Sequence, residues 1–374
     1  MKAVQVTRTE EKALTSFAKL PKSLKRGIIS PINKARLSKI MKLETPTVLV
    51  LYTNDACNLK CNHCFYWKEV DSPAPHHSIE ELTKLAKSLK HPLDLLILTG
   101  GEPFVRRDIH GIVGTFVKHN KTKRIHIATN GFMPKQAYTK VKEMLSVAGD
   151  CRITLQFSID GFEELHDRLR GRKNSFKNVC ESVRLVNSIA DERLAVSVAT
   201  VVFQQNYSMI KDLKKFVNEE LGVPFKINVL RRTDSVKGVP KSHIADMDIR
   251  DADYEVPTQE MLESLPDLID DGTISSRIER SKIEHSKRIL KGEKTLNCLG
   301  GIRDAVVFTN GEVGLCEPTT SFATLKDYDY DFHKLWHSEA AKEKKKAFLG
   351  KCYCLQSCNL LNAMKFDTET LVNL

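Results

Sequence analysis

The chain has 374 residues, 58 Lys plus Arg against 47 Asp plus Glu for a net charge of +11, and ten cysteines. It is long for one small domain and natural for a barrel with an extension. Its apolar runs fall short of the ~18 residues a membrane span needs, and the opening MKAVQVTRTEEKAL has no apolar secretion core. The expectation is a cytoplasmic protein with no transmembrane segment, whose cysteines stay reduced and serve as metal ligands.

Residues 1–44 carry 11 Lys plus Arg against 3 Asp plus Glu, most of the whole chain's surplus. Within them Leu20 to Leu43 has amphipathic helical stretches broken by Pro31. Such a segment suits an anionic membrane, a nucleic acid or an acidic partner. Without aromatic interleaving or a recognised nucleic-acid module, helices packed on the rest of the protein are the simpler reading, and no DNA partner is expected.

From Thr45 onward strands alternate with helices, the pattern of parallel β/α units. Strands are expected at Thr45 to Thr53, Asp94 to Thr99, Arg124 to Thr129, Arg152 to Ile159, Leu194 to Phe203 and Phe225 to Leu230. Helices are expected at Ser78 to Lys90, Asp108 to Asn120, Lys135 to Val147, Phe162 to Arg170, from Ser175, and at Tyr207 to Leu221. Six units make an α/β fold, a partial (β/α)6 TIM-like barrel over residues 45–236. Chemistry in such barrels sits at the C-terminal strand ends, and Cys57, Cys61, Cys64, Glu102, Asn130 and Asp160 all follow strands.

After the first strand comes Cys57-Asn58-Leu59-Lys60-Cys61-Asn62-His63-Cys64. Three thiolates so spaced can hold three irons of a [4Fe-4S] cluster and leave the fourth without a protein ligand. Protein-closed cubane clusters take four cysteines, as does a closed structural zinc site. His63 would strain a tetrahedral shell beside Cys64. The spacing alone leaves cluster, zinc and coincidence open. The second strand ends in Gly100-Gly101-Glu102-Pro103, where glycines allow close backbone approach and a carboxylate offers acceptors to an ammonium.

With both motifs at these strand ends, the chain resembles the radical S-adenosylmethionine (SAM) enzymes. The resemblance covers the whole β/α stretch. It implies that the open iron is chelated by the amine and carboxylate of SAM, and that the Gly100-Gly101-Glu102-Pro103 turn receives the methionine amine. It also implies that Ser158 and Asp160 of the run FSIDG, and Thr129-Asn130-Gly131, lie near SAM or substrate. His63 takes the place of an adenine-contacting aromatic in relatives. Asp160 to Gly171 resembles the His-Asp and Arg-Gly elements of relatives with an extra cluster domain. Asp160 and His166 are the catalytic candidates, His166 more as an orienting residue than as a base. Cys151 and Cys180 read as small buried residues.

Residues 237–297 begin with a polar, aperiodic stretch to Pro257 that reads as a linker or a loop over the site, followed by helices at Thr258 to Asp271 and Ile274 to Lys291. Residues 298–374 hold Cys298, a hairpin around Asn310-Gly311, Cys316, a helix near Phe332 to Leu349, and Cys352, Cys354 and Cys358. This small cysteine-rich α+β tail resembles the Twitch/SPASM extension of radical SAM enzymes. Five cysteines suit one auxiliary [4Fe-4S] cluster with one to spare; a zinc ribbon is the rival.

The resemblance implies reductive cleavage of SAM to a 5′-deoxyadenosyl radical that takes hydrogen from a substrate C–H bond, the cofactor carrying the hard chemistry. The auxiliary cluster would assist oxidation or bond formation, and a flavodoxin or ferredoxin would supply electrons. A peptide maturase is the first expectation. A dehydrogenase or rearrangement enzyme for a sugar or aminocyclitol is the alternative, and a non-catalytic metal-binding protein a remote one. Arg231 and Arg232 are candidates for an anionic group.

Overall fold

A computed structural model describes residues 20–374. The six expected strands form as β1 (Val48–Tyr52), β2 (Leu95–Thr99), β3 (Arg124–Thr129), β4 (Arg152–Ser158), β5 (Leu194–Val202) and β6 (Phe225–Val229). Each pairs in parallel with the next, from Val48↔Leu95 through Val202↔Val229. Between them run α2 (Ile79–Ser88), α3 (Ile109–Asn120), α4 (Pro134–Val147), α5 (Glu163–Arg170), α6 (Ser175–Asn187) and α7 (Ile210–Glu219). Ser78 starts α2 with a capping box to Glu81, which satisfies two otherwise orphaned backbone donors.

Strand alternation sorts the side chains. Ile125, Ile127, Ile153, Leu155 and Phe157 turn outward and bury under the helices, where complete burial stabilises by about 1.5–3 kcal/mol per large side chain. The opposite faces of β3, β4 and β6 carry His126, Ala128, Gln156, Ser158 and Asn228 into the interior cavity. A second apolar group of Val48, Val50, Tyr52, Ile97 and Val306 lines the inner face near β1.

The C-terminal hairpin is part of the same sheet. Its first strand β8 (Asp304–Val307) runs parallel to β1, with Val48 opposite Asp304. Behind it come β9 (Glu312–Gly314) and β10 (Ala323–Thr324), giving nine strands in the order β10-β9-β8-β1-β2-β3-β4-β5-β6. A separate two-stranded ribbon joins β7 (Val236–Lys237) to β11 (Tyr353–Cys354). The extension is therefore stitched to both ends of the barrel arc.

Helices α8 (Gln259–Ile269) and α9 (Ile274–Leu290) precede the hairpin; α10 (Phe332–Trp336), α11 (Glu339–Phe348), α12 (Ser357–Met364) and α13 (Thr368–Asn373) follow it. The sequence put one helix near Phe332 to Leu349, but His337 and Ser338 separate two, with Ser338 capping the second.

One helical expectation needs correction. The N-terminal segment is not broken at Pro31: α1 runs unbroken from Lys22 to Ile40. An interior proline costs about 3 kcal/mol of helix stability, and the helix is held from outside by α13. Arg26 pairs with Glu369 at 2.7 Å, Lys25 donates to the Val372 carbonyl at 3.3 Å, and Arg36 stacks over Phe366 at 4.5 Å. The part of the basic segment before residue 20 lies outside the described residues. No helix among the described residues is long and apolar enough to cross a membrane.

Candidate functional site

The cysteine loop after β1 is clamped from three sides. On one side the Gly100-Gly101 turn donates Gly101 N–H to the Asn54 carbonyl at 2.8 Å and Glu102 N–H to Ala56 at 2.9 Å. The fit excludes side chains: a Cβ on Gly101 would stand 2.3 Å from the Ala56 oxygen, and Gly100 has φ +126° with the Asn54 oxygen at 2.3 Å. On the second side Asn62 N–H reaches the Leu169 carbonyl at 2.9 Å, and Gly171, at φ +68°, comes so near that a Cβ would meet the Lys60 oxygen at 2.5 Å. The aperiodic stretch after β7 supplies the third side, with Arg250 and Asp251 N–H donating to Cys64 and Asn62 carbonyls at 3.1 and 2.8 Å.

The clamped loop faces a cavity of about 320 Å³. Cys57, Cys61, Cys64 and His63 form one wall, and Gly100, Gly101 and Glu102 continue it. Asn130 and Ser158 enter from the ends of β3 and β4. Glu102 is buried, its carboxylate accepting from Phe104 N–H at 3.0 Å, Thr129 hydroxyl at 2.7 Å and Asn130 N–H at 2.7 Å. Burial raises its pKa, and those donors oppose the shift. Asn130 in turn donates to Asn58 Oδ1 at 2.8 Å and lies 3.8 Å from Cys57 Sγ.

Three expected site residues stand behind this wall. Pro103 is buried at the start of a short 3₁₀ turn. Asp160 is fully buried, and His166, 1% exposed, accepts the Asp160 N–H on Nδ1 at 3.1 Å. Burial pushes the Asp160 carboxyl up, but Arg170, His63 and His166 outweigh it and hold it below the usual carboxylate range. Burial drives His63 down to about 4 against the pull of Asp160, so a neutral imidazole sits beside a carboxylate at neutral pH.

The C-terminal cysteines divide. Cys298, Cys316, Cys352 and Cys354 form a group, buried but for the half-buried Cys298, in which desolvation, followed by charge repulsion among the thiols, raises Cys298 and Cys316. Cys352 is pushed up to about 12 by burial and then by Cys354. Cys358 instead lines the cavity with the cysteine loop, next to Leu355, Gln356 and Ser357. Among the described residues no group of three His, Cys, Asp or Glu side chains is arranged to hold a single metal ion. A cubane cluster has four irons to share among its thiolates and asks for no such convergence.

The residues fit the expected groups. Three free thiols line one wall, the two glycines let the neighbouring turn seat against the loop backbone, and the buried His63 Nδ1 and Arg170 Nε have no hydrogen-bond partner. Orphaned buried polar atoms in a cavity wall ask for a ligand. Arg170, of the Arg-Gly element read in the sequence, lines this cavity, as do Gln156, Asn228, Glu317 and Gln356, which the sequence had not singled out. Gln156 and Asn228 were legible as the inward positions of alternating strands; Glu317 and Gln356 depend on how the extension folds back.

A parallel barrel arc with this loop at its C-terminal mouth defines a radical SAM domain, and residues 51–217 match the model of the radical SAM superfamily. Over those residues the chain belongs with the radical SAM enzymes, a class that uses a [4Fe-4S] cluster and SAM, and the cysteine-rich tail beyond them resembles a Twitch/SPASM extension. Among similar proteins, the antilisterial bacteriocin subtilosin biosynthesis protein AlbA of Bacillus subtilis (strain 168) is 27% identical over 337 residues, covering 84% of this chain and 68% of AlbA. The sporulation killing factor maturation protein SkfB of the same strain is 27% identical over 168 residues, 45% of this chain and 38% of SkfB. Streptococcus suis SuiB shares the fold at TM-score 0.56 and 17% identity, covering 85% of this chain and 72% of SuiB.

Proposed function

We propose that the chain is a radical SAM maturase that modifies a peptide. One observation carries the reading: the cavity holding the three loop cysteines is also lined by Gln356, Ser357 and Cys358 of the cysteine-rich extension. A substrate there would lie within reach of the loop cysteines and of Cys358. The relatives named for bacteriocin biosynthesis and killing-factor maturation, and a SuiB structure bound to its precursor peptide SuiA, favour a peptide over a sugar or aminocyclitol.

Cys57, Cys61 and Cys64 would hold the open-iron cluster, and Cys298, Cys316, Cys352 and Cys354 the auxiliary one. When bound, the first cluster would supply the low-potential electron for reductive cleavage of SAM and so the means of hydrogen abstraction from a substrate C–H bond. Gly100 and Gly101 hold the turn against the cysteine loop, Glu102 fixes the β3 end that carries Asn130, and His63 offers an unprotonated nitrogen to the nucleoside. Asp160 and His166 act from behind the wall by fixing His63 and the start of α5. A flavodoxin or ferredoxin would deliver electrons. The working division is a basic helical segment to residue 44, the barrel over 45–236, linker and helices over 237–297, and the auxiliary-cluster region from 298.

The test is anaerobic reconstitution with iron and sulfide, then SAM cleavage under dithionite with and without a precursor peptide encoded beside the gene. About eight irons per chain, deoxyadenosine release and a mass change in the peptide support the reading. Turnover of a sugar or aminocyclitol with none on peptide replaces it.

A further inference from the structure

Arg170 closes α5 and is 8% exposed. Its Nη1 lies 3.8 Å from Cys61 Sγ, while Nη2 donates to Asp160 Oδ2. The same Oδ2 stands 3.3 Å from His63 Nε2, and Asp160 Oδ1 accepts Val201 N–H at 2.9 Å. A buried line therefore runs from a loop thiol through a cation to a carboxylate. Cys57, by contrast, meets neutral donors, the Asn130 amide at a similar distance and the Leu59 backbone.

We propose that Arg170 is a positioning residue that sets the reduction potential of the cluster held by Cys57, Cys61 and Cys64, with Asp160 as the counterweight that limits its effect. The inference rests on the reading that those cysteines carry a cluster. Reduction takes one electron from an external one-electron donor and moves no proton, so the cluster and its thiolates gain one negative charge. A buried guanidinium on a ligand sulfur stabilises that more negative state, because net charge and hydrogen bonds to the sulfurs set such potentials and charge–charge energies are large where water is excluded. Asp160, bound to the same guanidinium, offsets part of this field.

Geometry gives the two residues opposite signs, which a purely structural role does not. Removing the cation makes the cluster harder to reduce; removing the carboxylate makes it easier. A residue that merely held α5 against the loop would loosen the site in both cases and move the potential one way.

The experiment is a potentiometric titration of the anaerobically reconstituted full chain, followed by the electron paramagnetic resonance signal of the reduced cluster, for wild type, Arg170→Gln, Arg170→Lys and Asp160→Asn. Arg170→Gln should be at least tenfold harder to reduce, a shift of about 59 mV to the negative for a one-electron couple. Arg170→Lys should stay nearer wild type, and Asp160→Asn should shift positive. Full iron loading with unmoved potentials, or shifts of one sign in both charge-removing variants, overturns the proposal alone. A wild type that assembles no cluster on the three loop cysteines overturns the cluster reading, and the proposal with it. Should Arg170→Gln hold no iron, the sign of the Asp160→Asn shift decides.

Discussion

Glu317 Oε2 accepts a hydrogen bond from Arg231 Nη1 at 3.1 Å, joining the residue after Cys316 to the turn beyond β6. The side chains are 8% and 19% exposed. Tyr52 of β1 donates to Glu317 Oε1 at 2.7 Å, the Gln356 amide donates to Oε2, and Arg231 lies 4.4 Å over the Phe65 ring. Glu317 is thus where the extension is fastened to the barrel mouth. Glu317→Ala leaves a guanidinium and a phenol buried without their acceptor and should cost about 3 kcal/mol. Glu317→Gln keeps an acceptor for Tyr52 and should cost less. Urea denaturation of both variants checks the ordering; equal small losses would remove the fastening role.

The two cysteine sets predict separable defects. Cys61→Ala should abolish deoxyadenosine formation. Cys316→Ala should keep some SAM cleavage, lose product and drop iron from about eight to about four per chain. Because Cys358 lines the cavity apart from the other four, Cys358→Ala should keep its iron, unlike Cys354→Ala. Iron unchanged in both Cys61→Ala and Cys316→Ala would sink the two-cluster account.

Gly171 offers a test of the clamp on the cysteine loop. Its φ is +68° and a Cβ would meet the Lys60 carbonyl oxygen at 2.5 Å, so Gly171→Ala carries both backbone strain of order 1–3 kcal/mol and a collision with unyielding backbone. The loop should retreat from the end of α5, where Arg172 also donates to the Asn58 carbonyl at 2.8 Å. Faster iron loss to a chelator, with the global melting temperature little changed, is the expected signature. Gly222, at φ +67° with nothing near its Cβ position, is the control that strains the backbone without pressing on the loop.

Local chemistry made the barrel legible: β-branched runs and strand-end glycines located all six strands to within a few residues. The cysteine loop and the Gly-Gly-Glu-Pro turn were readable because each is a contiguous motif. Two things were hidden. Pairing of β8 with β1 spans some 250 residues of sequence, and nothing in the hairpin's own pattern names its neighbour. The split of Cys358 from Cys352 and Cys354 depends on α12 beginning at Ser357, which turns the chain between two cysteines only four residues apart. Pro31 misled for the opposite reason: its local preference is overridden by contacts with α13, more than three hundred residues away.

Desolvated histidines weaken the fold in acid, and three of them shift furthest. Burial lowers His63 and His126 to about 4 and His166 to about 3, against an unfolded value near 6.5. Their contribution is fully present above pH 6.5 and is lost as pH falls toward 4, because the unfolded chain binds protons that the fold refuses. Asp304 opposes them: burial lifts it to about 6, so the fold binds its proton first and gains stability over the same window. The histidines outnumber Asp304, so the net slope keeps their sign and stability falls as pH drops through this window. His126→Gln, inside the barrel on β3, should remove one proton from that slope. Urea unfolding at pH 6.5, 5.5 and 4.5 measures it, and a slope equal in wild type and His126→Gln would mean that His126 titrates normally in the fold.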